Sequence, residues 1–540
     1  MRDYDYIIAG GGSAGCVLAN RLSEESDASV LLIEAGGSDS NPLFHIPAGF
    51  ARMTKGIASW GWSTVPQKHM RDRVFWYTQA KVIGGGSTIN AQVYIRGNAR
   101  DYDLWAQAGC AGWSYRDVLP YFKRAEGNSR LRDAYHGTDG PLGVSDPWAT
   151  LPIAEAFLAA AGEAGLERNP DFNGARQEGM GFYQVTQKNG RRSSAATAYL
   201  KPALRRANLA VRRDAQVLRV MVEKNRAVGV EVSASSGRRE FLRAKREVIL
   251  ACGTIGSPRL LMLSGVGPAD HLRSLGITPV FDAPTVGANL QDHLDLCAIS
   301  ECTGDHTYDK YAKPLWTAYA GALYLLFRGG PAASSLFVTG GFAKVDENAD
   351  TPDMQFHMGF GSGIEAGIAK LEHAGVTFNS AYMRPRSRGS VRLASADPLA
   401  APLIDPNYWA DPHDREMSLR GLKLAREIMA KPALRRFVLA ERVPGPAVAS
   451  DEDLIAYACA SAKTDHHPAG TCRMGIDDGA VVNPDLTFRG IKALRVVDAS
   501  IMPNVVTGNT NAATIMIAEK ASDMIRGRAP LSASQEVRDV

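Results

Sequence analysis

The chain has 540 residues, of which 45% are hydrophobic and 22% charged. That composition excludes a disordered or fibrous protein and leaves room for roughly two to four structural units. A net charge of +4 gives no electrostatic case for nucleic acid or an anionic membrane beyond a local patch. The seven cysteines are odd in number, scattered and without a C-x-x-C. They suit reduced thiols in a cytoplasmic protein rather than a disulfide framework. The one skew is glycine, 53 of 540 residues against a usual ~7%.

Taken in chain order, residues 3–9 pass from alternating polar and apolar to Ile-Ile-Ala, the pattern of a strand running into a core. No apolar signal core precedes it. Gly10-Gly11-Gly12-Ser13-Ala14-Gly15 comes next, then a run of helical spacing from Cys16 to Leu22, and a second strand is predicted over Ser29 to Glu34. This is a β–turn–α–β unit with G-x-G-x-x-G in the turn. Gly10 permits the tight turn, Gly12 lets main chain approach a pyrophosphate, and Gly15 lets helix and strand pack closely. The helix start offers unpaired N–H groups to phosphate. Glu34, 19 residues beyond Gly15, stands where a carboxylate accepts from a ribose diol. These features predict a dinucleotide site and leave FAD and NAD undecided.

Residues 36–150 are irregular and rich in Gly, Trp and Tyr, including Trp60, Trp62 and Trp76. Within them Gly84-Gly85-Gly86-Ser87-Thr88-Ile89-Asn90-Ala91 offers backbone that can pass close to a flat ring or phosphate. Three strand-like runs follow at 209–212, 227–232 and 247–251, and 253–265 reads as turn, helix and turn. Leu315 to Phe327 is the longest apolar stretch. It is too short for the ~20 residues of a membrane helix, and it predicts a buried helix or one lining an apolar pocket or interface. Strands of a mixed or antiparallel sheet are predicted at 337–342, 354–360 and 390–393, then an amphipathic helix pair over 414–438. His467-Pro-Ala-Gly-Thr-Cys472-Arg-Met-Gly475 comes late in the chain. Asp498-Ala499-Ser500, Asn509-Thr510-Asn511-Ala512 and an apolar helix over 512–525 follow, and the polar end beyond 529 is expected to fray.

These motifs, in this order, resemble the glucose–methanol–choline (GMC) oxidoreductases, FAD-dependent alcohol dehydrogenases and oxidases. The resemblance runs from residue 4 to about 525 and covers both glycine-rich signatures, at 84–97 and 253–267, together with the His467 motif. Within the family the chain looks most similar to bacterial choline-dehydrogenase-like and sorbose- or polyethylene-glycol-dehydrogenase-like members. The resemblance implies an α/β fold, α+β overall. A Rossmann-like FAD-binding domain (1–155, 191–298 and 461–528) would join a substrate domain on an antiparallel sheet flanked by helices (156–190 and 299–460), with a tail at 529–540.

The resemblance also implies site residues. Gly10, Gly12, Ser13, Ala14 and Gly15 would hold the pyrophosphate, and Glu34 and Ala35 the adenosine ribose. Val217 would meet adenine through its backbone, while Val82, Gly85, Asn90 and Ala91 would approach the flavin. Asp498, Ala499 and Thr510 would close the site. Some relatives link FAD covalently through a His where this chain has Ile89, so the FAD is expected to be non-covalent.

The expected reaction is oxidation of a primary alcohol (a polyol, glycol or similar) to the aldehyde, with hydride transfer to flavin N5. His467 would act as base, and Asn511 would orient the substrate oxygen through its amide. His466, next to the base on an extended segment, is expected to face the other way as a supporting residue or pocket wall. His466, His467 and Cys472 do not complete a tetrahedral zinc set, so no metal is expected. Dehydrogenase chemistry with a quinone, cytochrome or dye acceptor is favoured over an oxygen-using oxidase, and a non-redox FAD member such as a hydroxynitrile lyase is the remoter alternative. The expected assembly is a monomer or homodimer without integral membrane segment or nucleic-acid partner.

Overall fold

The computed structural model describes residues 3–535 apart from 55, 235–236 and 366. The first two residues and positions 536–540 of the expected tail lie outside the described residues.

The first sheet has the order Leu209–Arg212, Val30–Ile33, Asp3–Ala9, Arg239–Leu250, Arg226–Ala234, Ala215–Glu223, with Leu494–Val496 also paired to Arg239–Leu250. Its centre is parallel and nearly all apolar, with Ile7, Ile8, Val248 and Ile249 fully buried, as expected of strands covered on both faces. Ala9 pairs with Leu250 in register. The turns that follow the two central strands, at Gly10 and at Gly253, therefore leave from the same carboxyl edge. Helix Ser13–Leu22 packs against this sheet, and helix Thr510–Ile525 packs on that helix. The sequence predicts three strands between 209 and 250 and the structure has four. Ala215–Glu223 was missed because it is an edge strand whose alternating Arg219, Met221 and Glu223 face solvent.

The second sheet is antiparallel throughout: Val438–Val443, Leu294–Cys302, Gly375–Tyr382, Met354–Gly359, Phe337–Ala343, Gly179–Phe182, with Lys463–Thr464 paired to the start of Leu294–Cys302. Side chains alternate across it. Phe356, Met358 and Phe378 face the helices Pro152–Glu163 and Pro412–Met429, and Phe157 meets Phe378 edge-on at 4.9 Å. His357 and Asn379, opposite each other in register, face a cavity between the two sheets.

One expectation fails here and one narrows. Residues 414–438 are not a helix pair: helix Pro412–Met429 ends before Pro432, and after one short 3-10 turn, Pro432–Leu434, the chain continues as strand Val438–Val443. Pro432 has no N–H to continue the ladder. Of the placements expected for helix Pro314–Phe327, burial fails, because only Ala320 and Tyr324 sink into the protein, and an apolar pocket or interface is what is left. The helix is apolar on every side, so no polar face marks which way it should turn.

Candidate active site

The cavity opens at the carboxyl edge of the first sheet. Gly10 has φ +101°, and a Cβ there would lie 2.4 Å from the carbonyl oxygen of Ala251. A Cβ on Gly15 would sit 1.9 Å from the carbonyl of Gly10, so Gly15 serves helix–strand contact. The helix Ser13–Leu22 starts from Gly12 with no side-chain cap, which leaves its first N–H groups directed at the cavity that Gly12, Ser13 and Ala14 line. Glu34 accepts from the Gly11 N–H (2.7 Å) and the Gly36 N–H (2.7 Å). Burial lifts its carboxyl to about 7. On the far side, Asp498 accepts from the Gly253 N–H (2.9 Å) and the Ser257 hydroxyl (2.5 Å), which ties the second turn to the C-terminal segment.

At the other end of the cavity stand three side chains from separate segments. His293 Nε2 lies 3.2 Å from the carbonyl oxygen of Met383, its Nδ1 lies 3.1 Å from His467 Nδ1, and His467 Nε2 lies 3.0 Å from Asn509 Nδ2. Burial pushes His293 down to about 3 and His467 well below the ordinary histidine range, helped by the neighbouring imidazoles. Both rings are therefore neutral at pH 7. A carbonyl can only accept, so His293 carries its proton on Nε2 and presents a bare Nδ1. His467 must then donate from Nδ1, which leaves Nε2 as a lone pair held by the Asn509 amide. The main chain of His467 is fixed as well: its N–H donates to Asp292 (2.9 Å), whose other oxygen accepts from Tyr77, Tyr408 and Thr464.

Behind this array, Lys463 Nζ lies 2.6 Å from Asp295, 3.1 Å from Glu365 and 3.7 Å from Asp465. Burial opposes the ammonium, but the three carboxylates outweigh it and hold it charged. Burial likewise opposes the Glu365 anion, and Lys463 restores it. Asp465 Oδ2 is also 3.4 Å from His467 Nδ1. Glu365, Asn379, His357 and Asp465 thus form a polar wall beside His467.

The chain matches the GMC oxidoreductase family over residues 4–295 for its N-terminal part and 385–518 for its C-terminal part. It is 44% identical to an alcohol dehydrogenase [acceptor] of Pseudomonas putida, over 97% of this chain and 95% of that protein. It is 42% identical to an oxygen-dependent choline dehydrogenase of Sinorhizobium fredii, over 98% and 97%. Among solved structures, an FAD-dependent oxidoreductase from Chaetomium thermophilum superposes with a TM-score of 0.90 at 28% identity, over 97% of this chain and 99% of that one. The chain is a GMC oxidoreductase. It is an alcohol oxidoreductase with an α/β FAD-binding fold. The features that fit FAD are its own: a side-chain-free phosphate turn, an uncapped helix start facing the cavity, and a buried carboxylate at the second strand.

Of the residues named from sequence, Gly10, Gly12, Ser13, Ala14, Glu34, Ala35, Gly85, Asn90, Ala91, Val217, Asp498, Ala499, Thr510, His467 and Asn511 line this GMC cavity. Gly15 and Val82 do not. Val82 is buried in a small cluster with Phe44, Met53 and Ile89. Asn511 requires a correction. Its side chain accepts from the Ser13 hydroxyl at 2.7 Å, at the glycine-turn end of the cavity, and the amide at His467 belongs to Asn509. Asn509 precedes helix Thr510–Ile525 in extended conformation, whereas Asn511 is inside its first turn, so the two side chains diverge. His466 lines the same cavity as His467, the pocket-wall place expected of it, although its φ of +61° breaks the extended path that would have turned it to the other side. Trp60 and Trp62 line the cavity, stacked 4.9 Å apart, while Trp76 is largely exposed. His293 and Asp292 were missed altogether. The available signal was Gln291-Asp292-His293, a polar run between Leu290 and Leu294.

Proposed function

We propose that this GMC oxidoreductase oxidises a primary alcohol to its aldehyde with His467 as the base. The observation that carries this reading is the single-direction array of Met383 carbonyl, His293, His467 and Asn509. It leaves one unprotonated nitrogen, His467 Nε2, facing the cavity. Gly10, Gly12, Ser13 and Ala14 would hold the pyrophosphate, Glu34 and Ala35 the ribose, and Gly85, Asn90 and Ala91 the flavin. Bound there, FAD supplies the hydride acceptor of the oxidation. Ile89 offers no nucleophile to the cavity, which supports non-covalent binding.

A substrate hydroxyl entering between His467 and Asn509 donates its proton to His467 Nε2, while the Asn509 amide turns its N–H to the oxygen left behind. The proton that arrives makes His467 an imidazolium, 3.4 Å from the Asp465 carboxyl, which burial, with Asp295 and Glu365 beside it, holds well above the ordinary carboxylate range. The polar wall of Glu365 and Asn379 favours a substrate with a second polar group, as in a glycol, a polyol or an amino alcohol. The likenesses to an alcohol dehydrogenase [acceptor] and to a choline dehydrogenase favour a dehydrogenase.

The test is an alcohol panel run in parallel with oxygen and with a dye acceptor. Purified protein should be yellow, release FAD on acid precipitation, bleach anaerobically with primary alcohols, and turn over faster with the dye. A flavin that stays oxidised with every alcohol would remove the reading, and faster turnover with oxygen would make the enzyme an oxidase.

A further inference from the structure

Helix Pro314–Phe327 has no charged residue, yet it lies mostly in solvent. Leu315 is 86% exposed, Leu325 72%, Leu326 73% and Phe327 73%, with Trp316 and Tyr319 at 42% and 50%. Contiguous apolar exposure of this kind marks an interaction surface rather than a solvated face. Cations frame it at both ends. Lys310 stands over the rings of Tyr311 and Trp316 at 5.2 and 5.1 Å, and Lys313 precedes the first residue of the helix. Arg328 follows the last residue, lying over Tyr324 at 5.3 Å, and Arg191 also acts on the Tyr324 hydroxyl.

Exposed Leu and Phe, aromatic rings with polar edges, and bracketing Lys and Arg are the composition that binds at a bilayer interface, where apolar residues enter the acyl boundary and cations meet lipid phosphate. We propose that this helix lies in the surface of an anionic phospholipid bilayer and docks the enzyme there, without crossing it. Charge sets the bilayer apart from a second copy of the chain. Two-fold pairing would bring the Lys313 end of one helix against the Arg328 end of the other if antiparallel, or like ends together if parallel, and both place cation on cation. An anionic surface meets every one of these charges with its opposite. The helix is tied to the cavity wall: the Tyr324 hydroxyl donates to the His45 carbonyl (3.2 Å), in the segment leading to Phe50, which lines the cavity.

The experiment is co-sedimentation of the holoenzyme with vesicles of phosphatidylcholine alone and of phosphatidylcholine containing about one third phosphatidylglycerol. The enzyme should pellet with the anionic vesicles, and salt should weaken the binding. The double variant Leu325→Glu/Phe327→Glu should stay in the supernatant, and Lys313→Glu/Arg191→Glu should partition at least about tenfold more weakly. Both should keep their FAD and their turnover of a short, soluble alcohol, which shows that they fold. The proposal is overturned if the parent enzyme pellets with neither composition, if it pellets equally with both, or if Leu325→Glu/Phe327→Glu pellets like the parent. Sedimentation velocity supplies the remaining contrary outcome: a dimer that the two glutamates dissolve, with no capture by vesicles, would assign the face to a second copy.

Discussion

At the nucleotide end, the cavity is walled largely by main chain: the turn from Gly10 to Ala14, the uncapped helix start, and Gly85, whose Cβ would lie 2.6 Å from the Cα of Gly12. At the other end the wall is side chains, and the two that set the proton's position, His293 and His467, are 174 residues apart in sequence. A backbone cradle tolerates few residue types, because a single Cβ blocks it, so it leaves a local pattern of glycines. A side-chain array tolerates many routes of delivery and leaves isolated residues whose partnership exists only after folding. The same enzyme is therefore plain at one end and obscure at the other.

The sharpest way to break this comparison is to remove the base. His467→Ala should retain bound FAD, since the cradle does not use the imidazole, and should lose about 10²–10⁴-fold in the rate of anaerobic flavin reduction. Stopped-flow measurement of that rate checks it, and near-parental reduction would take His467 out of the chemistry.

The buried histidines and Glu34 should also answer acid with opposite signs. His293 and His357 are held down to about 3 and His466 to about 4, each mainly by burial. Unfolding frees them to bind protons below ~6.5. Their stabilising share is thus whole above that pH and falls as pH drops towards their folded values, by about 2 kcal/mol per ring at pH 5. Glu34 is raised to about 7 by burial, so its folded form takes up a proton first and gains stability over the same interval. Denaturant unfolding at pH 7 and pH 5 should show a net loss at pH 5. His357→Gln should flatten that loss and Glu34→Gln should steepen it.

A third prediction concerns tautomer control. His293→Phe removes the acceptor for His467 Nδ1–H and frees the ring to carry its proton on the wrong nitrogen. The loss in flavin reduction should be about 10–100-fold, one buried, unsatisfied donor, with FAD content unchanged. An unaltered rate would mean that Asp465 alone orients the base.

How far the sequence could be read follows the same division. The β–turn–α–β unit, Glu34 and the order of the motifs were legible because their spacing is local. The antiparallel strands at 337–342 and 354–360 were legible because Phe, Val and Met crowd them. For helix Pro314–Phe327 the sequence leaves burial and an apolar pocket or interface equally open, because hydrophobicity reports what leaves water and not what receives it. The role of His293 was hard to read because its partner is carried by a strand-end turn far along the chain, and the Leu294–Cys302 and Lys463–Thr464 pairing and the Gln291–Ala469 bridge bring them together.

The finest test lies where the two ends meet. Asn509 and Asn511 are identical in chemistry and separated by one residue, yet one faces His467 Nε2 and the other accepts from Ser13, in the phosphate turn. Asn509→Ala should lower kcat/KM for the alcohol about tenfold, one hydrogen bond to a reacting oxygen, and leave FAD affinity in place. Asn511→Ala should do the reverse, weakening FAD several-fold in reconstitution titrations while the reduction rate of the loaded enzyme holds. If the two variants exchanged phenotypes, Asn511 would be the orienting amide after all, and the helix start at Thr510 would have to unwind by a turn to bring it to His467.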